Sequence, residues 1–135
     1  MYLDALLDEL SAAMGIPPLA ADPQDRCALR IDDDVQVELH WRQATGMLRL
    51  VAPVGHATAQ PLRLLATLLV GNLALAERGL PVFAFDPRTG AVVLTQSLDT
   101  VSLTGTALAG CIERLAGGCR KAREDLRGAQ TRHLA

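Results

Sequence analysis

Residues 61–79 read Pro-Leu-Arg-Leu-Leu-Ala-Thr-Leu-Leu-Val-Gly-Asn-Leu-Ala-Leu-Ala-Glu-Arg-Gly, and their spacing predicts a helix with two leucine stripes. At about 100° per residue, Leu62, Leu65, Ala66, Leu69, Leu73 and Ala76 form one stripe, and Leu64, Leu68, Gly71 and Leu75 form another. Arg63, Thr67 and Glu77 mark the only polar face. A surface helix of a monomer normally carries one apolar stripe, so the second needs another partner. A second copy of the chain is the simplest candidate; a central core helix of a monomer is the alternative. Pro61 suits the first helical turn and Gly79 the position after the last.

Upstream, Leu3, Leu6, Leu7, Leu10 and Met14 fall on one face of an amphipathic helix over residues 2–14, stopped by Gly15 and by Pro17-Pro18. Ile16 and Leu19 are apolar loop residues expected to fold back on the sheet. Three segments of period-2 alternation follow, each a half-buried strand. Cys27, Leu29 and Ile31 alternate with Ala28 and Arg30; Val35, Val37, Leu39 and Trp41 with Gln36, Glu38 and His40; Leu48, Leu50 and Ala52 with Met47, Arg49 and Val51. Short turn-rich links at Asp32-Asp33-Asp34 and Ala44-Thr45-Gly46 make these an antiparallel meander. Residues 53–61 are expected to form a loop.

Downstream of Gly79 a second hairpin is expected, with arms Val82–Phe85 and Ala91–Gln96 around Asp86-Pro87-Arg88-Thr89-Gly90. Phe83 and Phe85 point one way, and Val92-Val93-Leu94 are apolar on both sides, as in a strand covered on both faces. The expected dimer contacts are therefore Leu64, Leu68, Gly71, Asn72, Leu75, Phe83 and Phe85. A final helix from about Thr104 to Arg127 turns Leu108, Cys111, Ile112, Leu115, Cys119, Ala122 and Leu126 to the core. Mid-helix, Gly117-Gly118 implies either a close approach of another backbone or a bend. Residues 128–135 read as a frayed tail. The order predicts one α+β domain over 1–135: helix, three strands, helix, two strands, helix, with helices on a twisted antiparallel sheet and a homodimer through the middle helix.

Composition narrows the function. Half of the 135 residues are hydrophobic but only 3% are aromatic, so the core is built from Leu, Val and Ala. A formal net charge of −2 lacks the basic footprint of a nucleic-acid binder; the arginines between 114 and 132 are interleaved with Glu113, Glu124 and Asp125 and read as a solvated helix face. The amino terminus carries acids where a secretory signal needs positive charge, and the 64–76 run is short of the ~20 residues of a membrane span. A soluble intracellular protein is expected, with Cys27, Cys111 and Cys119 reduced and buried.

The search for chemistry is negative. No histidine is spaced from a Cys, Asp or second His like a metal site, the Asp32–Asp34 run reads as a solvated turn, and no phosphate-binding or nucleophile motif occurs. No enzyme, metal or cofactor is expected; an enzyme using Asp33, His40 or His56 at a noncontiguous site is a distant alternative. What remains is binding surface: Met14, Ile16 and Leu19 at the exit of the first helix, the strand around Ala28 and Arg30, and Val93 in the hairpin. An exposed strand edge beside apolar pockets can capture an extended peptide by strand addition.

The ordered pieces resemble a known family. Leu3-x-x-Leu6-Leu7-x-x-Leu10 leads to Gly15-Ile16-Pro17-Pro18-Leu19, then Cys27-Ala28-Leu29-Arg30-Ile31-Asp32 and Leu48-Arg49-Leu50-Val51-Ala52-Pro53. Leu64-Leu65-Ala66-Thr67-Leu68-Leu69-Val70-Gly71-Asn72-Leu73 and Phe85-Asp86-Pro87-Arg88-Thr89-Gly90 follow. Together they are similar to the class I chaperones of bacterial type III secretion, the Tir-chaperone (CesT) group. The resemblance implies a small acidic homodimer of the bacterial cytoplasm that binds the amino-terminal segment of a secreted effector in extended form. It implies no cofactor and no nucleotide, and it makes Met14, Ile16, Leu19, Ala28, Arg30 and Val93 the expected effector contacts. The alternative is a non-enzymatic dimeric scaffold or signalling module, roadblock-like, that binds a folded partner.

Overall fold

Four leucines at helical spacing start the fold. In α1 (Tyr2–Met14) Leu3, Leu6, Leu7 and Leu10 are all buried, and the helix ends where left-handed backbone is required. Gly15 sits at φ +66°, with the Ile16 N–H on the Ser11 carbonyl at 3.1 Å and the Gly15 N–H on the Ala12 carbonyl at 3.3 Å. This pair of bonds satisfies carbonyls that the helix end would otherwise orphan. The computed structural model describes residues 2–56 and 61–134. In it the same closure ends α2 (Pro61–Glu77), at Gly79 with φ +66° and the Leu80 N–H on the Leu75 carbonyl at 2.9 Å.

Five strands form one antiparallel sheet: β1 (Arg26–Ile31), β2 (Val35–Arg42), β3 (Met47–His56), β4 (Val82–Asp86) and β5 (Ala91–Asp99). Their spatial order is β1-β2-β3-β5-β4. The last strand in sequence is therefore not an edge, which explains its apolar run: Val92 and Leu94 are buried on one side, and Val93 lies between Pro53 and Ala84 on the other. One face of the sheet is covered by α1 and by α3 (Gly105–Leu134), which lies across β2, β3 and β5. The core is the set of inward residues: Val35, Val37 and Leu39 from β2, Leu48 and Leu50 from β3, and Leu108, Ile112 and Leu115 from α3. The opposite face, with Ala28, Arg30, Gln36 and Arg49, carries no helix and is exposed. By contrast, α2 packs against β4.

Two boundaries differ from expectation. Residues 53–56 belong to β3 rather than to a loop, because the register shifts between Pro53 and Gly55 and an irregularity of that kind accommodates a residue without an N–H. Of the expected loop, residues 57–60 lie outside the described residues. The last helix continues to Leu134 instead of stopping near Arg127, so the stretch from Gly128 expected to be frayed is helical backbone as far as Leu134.

The acidic turn is more than a solvated link. Asp32 and Asp33 take φ of 52° and 63°, left-handed values that aspartate tolerates and that suit the twist of a hairpin. The guanidinium of Arg120 on α3 grips the turn, Nε donating to Asp34 Oδ2 at 2.8 Å, and Nη2 to Asp34 Oδ1 at 3.0 Å and Asp32 Oδ2 at 3.1 Å. These bonds hold the Asp34 carboxyl below its ordinary value of 3.8. A carboxyl with a lowered folded pKa contributes stability above its unfolded pKa, which is lost as pH falls through the folded value. Asp34→Asn is therefore expected to lower the urea midpoint at pH 7 slightly, with the difference narrowing as pH is taken progressively below 3.8. The pair is exposed, so the difference should shrink in high salt.

Candidate functional site

A sheet that does not close has two edges, and here they are treated differently. At β4 the edge is capped at Phe83. Asn72 of α2 accepts from the Phe83 N–H through Oδ1 at 2.7 Å and donates through Nδ2 to the Phe83 carbonyl at 2.9 Å, imitating the next strand. Expected from the sequence at a dimer interface, Asn72 uses both ends of its amide inside the protomer. Asn72→Leu leaves both groups of Phe83 without partners, a loss expected to be about 2 kcal/mol. Urea unfolding checks the stability, and faster hydrogen exchange of the Phe83 amide checks the cause.

At β1 the edge is open. The Arg26 carbonyl is turned away from β2 and receives the Asp22 N–H at 2.8 Å. Backbone groups of alternate residues in an antiparallel pair point to the same side, so those of Ala28 and Arg30 also face outward. Among the described residues nothing bonds them there. The chain enters this strand through the loop that carries Ile16 and Leu19, which are half-buried against the core, as is Met14 before them. The Leu19 N–H is anchored to the buried Ser11 hydroxyl at 3.0 Å. Five of the expected peptide contacts thus stand on β1 or on the segment leading into it. Val93 stands apart, three strands away at about 14 Å for strands spaced ~4.8 Å.

The third element is α2. Leu64, Leu68, Gly71, Asn72 and Leu75 lie on its inner side and are half-buried, whereas Leu62, Leu69, Val70 and Leu73 are exposed by 66–83%. Inward, α2 and α3 bound an apolar trough made of two adjoining cavities of ≈ 430 and ≈ 520 Å³. Leu64 and Leu68 line one end, Leu75 the other, and Gly71 and Phe83 are shared. Phe85 packs partly on the core and pairs with Val92. Of the seven residues expected at the interface, the structure therefore brings most around this trough, and the stripe left bare is the other one. On its far wall, a Cβ at Gly118 would come 3.1 Å from Leu94 Cδ2, so that glycine serves a close approach of α3 to β5.

The buried thiols are tuned away from nucleophilic use. Burial pushes the Cys27 and Cys119 thiols above their ordinary value, with Asp22 adding to the effect at Cys27; such thiols are poor nucleophiles. Among the described residues no group of three or more His, Cys, Asp or Glu could hold a metal ion. No described helix is long and apolar enough to cross a membrane.

Comparison with known proteins agrees with this architecture. Residues 5–123 match the model of the Tir chaperone protein (CesT) family, and the chain belongs to that family. No curated protein sequence matches the chain. The HopA1–SchA chaperone–effector complex contains a chain 25% identical, with a TM-score of 0.77 over 88% of this chain and 91% of that one. The ExsC–ExsE complex gives 22% identity and a TM-score of 0.79 over 91% and 92%. The Yersinia pestis type III secretion chaperone SycH, solved with a stable fragment of YscM2, gives 22% and 0.73 over 89% and 98%. These last two likenesses concern the fold. The family is one of chaperones, and the match does not favour the roadblock-like alternative.

Proposed function

We propose that the protein is a homodimeric cytoplasmic chaperone of type III secretion that binds the extended amino-terminal segment of an effector and keeps it competent for export. The observation that carries this reading is the edge of β1, open over Ala28 and Arg30 where β4 is capped at Phe83, in a chain of the CesT family. An incoming strand finds unpaired N–H and carbonyl groups that set its register without demanding a particular sequence. Alternate side chains of that strand point toward the covered side of the sheet, where Met14, Ile16 and Leu19 are half-exposed apolar neighbours.

The energetics favour a preformed receptor. Ordering the client costs about 1–2 kcal/mol of backbone freedom per residue, and burial returns about 25 cal/mol per Å² of apolar surface. A rigid sheet adds little ordering cost of its own. Pairing through the bare stripe of α2 (Leu62, Leu69, Val70 and Leu73) supplies two such edges per particle. No cofactor or catalytic step enters this reading. Its test is co-expression with the amino-terminal segment of a candidate effector followed by limited proteolysis. Protection of the segment supports the chaperone reading; digestion at the rate of the free segment overturns it.

A further inference from the structure

The face of the sheet that no helix covers is not neutral beside the open edge. Arg26 on β1, His40 on β2 and Arg49 on β3 are direct cross-strand neighbours in one row, and all point away from the core. With Arg42, two positions along β2, they surround a recess of ≈ 340 Å³ that Gln24 and Trp41 complete. Arg26 and Arg49 thus flank His40 from its two sides. Among the described residues, none of the three arginine side chains has a hydrogen bond or ion pair. His40 Nε2 is inaccessible and has no hydrogen-bond partner. The Glu38 carboxylate stands 3.9 Å from it, beyond hydrogen-bonding distance.

The acids nearby do not neutralise the row. Asp22 already accepts the Gln24 and Arg26 N–H groups through Oδ1, both at 2.9 Å. Glu38 and Asp22 both favour a charged His40. Burial outweighs them, and Arg26 and Arg49 act in the same direction as burial, so the imidazole is held below its ordinary value. Farther along β1, Arg30 repeats the outward positive charge opposite Gln36. On the outward face next to the free edge, Arg26 and Arg30 thus flank the one acid there, Glu38 opposite Ala28, in a chain whose net charge is −2.

We propose that the β1 end of this surface, Arg26 and Arg30, binds carboxylates, and that the client strand it selects carries aspartate or glutamate on its outward positions and apolar residues on its inward ones. The proposal rests on the capture of an extended segment argued above, and adds the chemistry of that segment. A strand added at Ala28 and Arg30 turns every second side chain to the open face. Arg30 lies beside those positions and Arg26 diagonally from them, within reach of a long side chain. A carboxylate there accepts charge-assisted hydrogen bonds from guanidinium groups. The covered side of the same edge, with Met14, Ile16 and Leu19, accepts the apolar residues.

The test compares two labelled strand peptides, one alternating valine with glutamate and its twin alternating valine with glutamine, by fluorescence anisotropy at low salt. The glutamate peptide is expected to bind about tenfold more tightly, the size of two or three cross-strand ion pairs, with the difference falling as salt is raised. The exposed pair Arg26→Gln and Arg30→Gln should keep the parental melting temperature and lose most of the preference. Equal affinity for the two peptides, or a preference that survives the double variant, overturns the carboxylate site while leaving segment capture standing. Binding of neither peptide overturns both. Displacement of the glutamate peptide by inorganic phosphate at constant ionic strength makes the recess a small-anion site and overturns the assignment to a client strand.

Discussion

Leu69→Asp combined with Leu73→Asp should give a folded protein that sediments as a monomer. Both side chains are largely exposed on the protomer, by 69% and 66%, so charge there is solvated and the fold does not notice it. In a pair formed on that stripe each residue is buried twice, once per copy. Four leucines contribute about 6–12 kcal/mol at ~1.5–3 kcal/mol each. That is comparable to the about 8–12 kcal/mol of an entire micromolar to nanomolar association. Four aspartates buried without partners would add a further penalty. Leu64→Asp with Leu68→Asp is the informative contrast, because those residues face the trough and pack on the core. That variant should lose fold stability, seen as a lowered urea midpoint. A Leu69/Leu73 variant that still sediments as a dimer would place the interface on the inner stripe, as the sequence alone suggested.

Gly105→Ala is expected to cost about 3 kcal/mol, at the upper end for overpacking a close-packed contact. Thr104 caps α3, its Oγ1 accepting the Ala107 N–H at 3.1 Å, and Gly105 follows in the first turn. There α3 meets α1 so closely that a Cβ would fall 2.5 Å from the carbonyl carbon of Glu9 and 2.7 Å from its oxygen. Backbone cannot yield as a flexible side chain does, so the two helices must move apart. The Glu9 carboxylate, which accepts the Gly105 N–H at 3.2 Å, would shift with them. Against a total stability of about 5–15 kcal/mol, the loss is large. Gly117→Ala is the control: nothing lies within 4 Å of its added Cβ, and removing a mid-helix glycine should stabilise by about 1 kcal/mol. Opposite signs for the two substitutions in urea unfolding check the assignment.

Much of the fold was legible because its periodicities are clean. Leu3, Leu6, Leu7 and Leu10, the alternations from Cys27 to Ala52, and the α3 stripe from Leu108 to Leu126 all face the core as their spacing requires. Gly15 and Gly79 were readable as helix stops because few other residues accept that backbone. The position of β5 between β3 and β4 was not legible, since strand order depends on long-range pairing that leaves only an apolar run as its trace. The extension of β3 past Pro53 was hidden for the opposite reason: proline argues against a strand unless an irregularity accommodates it.

For the candidate site, the residue types were visible but their division of labour was not. Periodicity showed two stripes on α2 and could not say which one the protomer itself uses. Asn72 could have been suspected, being a polar residue on an otherwise apolar inner stripe. Its partner is a backbone eleven residues away, which no side-chain pattern reports. Likewise the arginine row of Arg26, His40 and Arg49 spans three strands and exists only once their register is known.

The amide that imitates a strand at Phe83 also bears on what the molecule avoids. A sheet with two receptive borders can concatenate, copy after copy, into an open fibre. With one border blunted, any addition at the other ends the series, since the newcomer meets a terminus. Each protomer then accepts a single strand, and a pair of protomers accepts two. That arithmetic suits a carrier whose task is to hold sticky, unfolded cargo without itself polymerising.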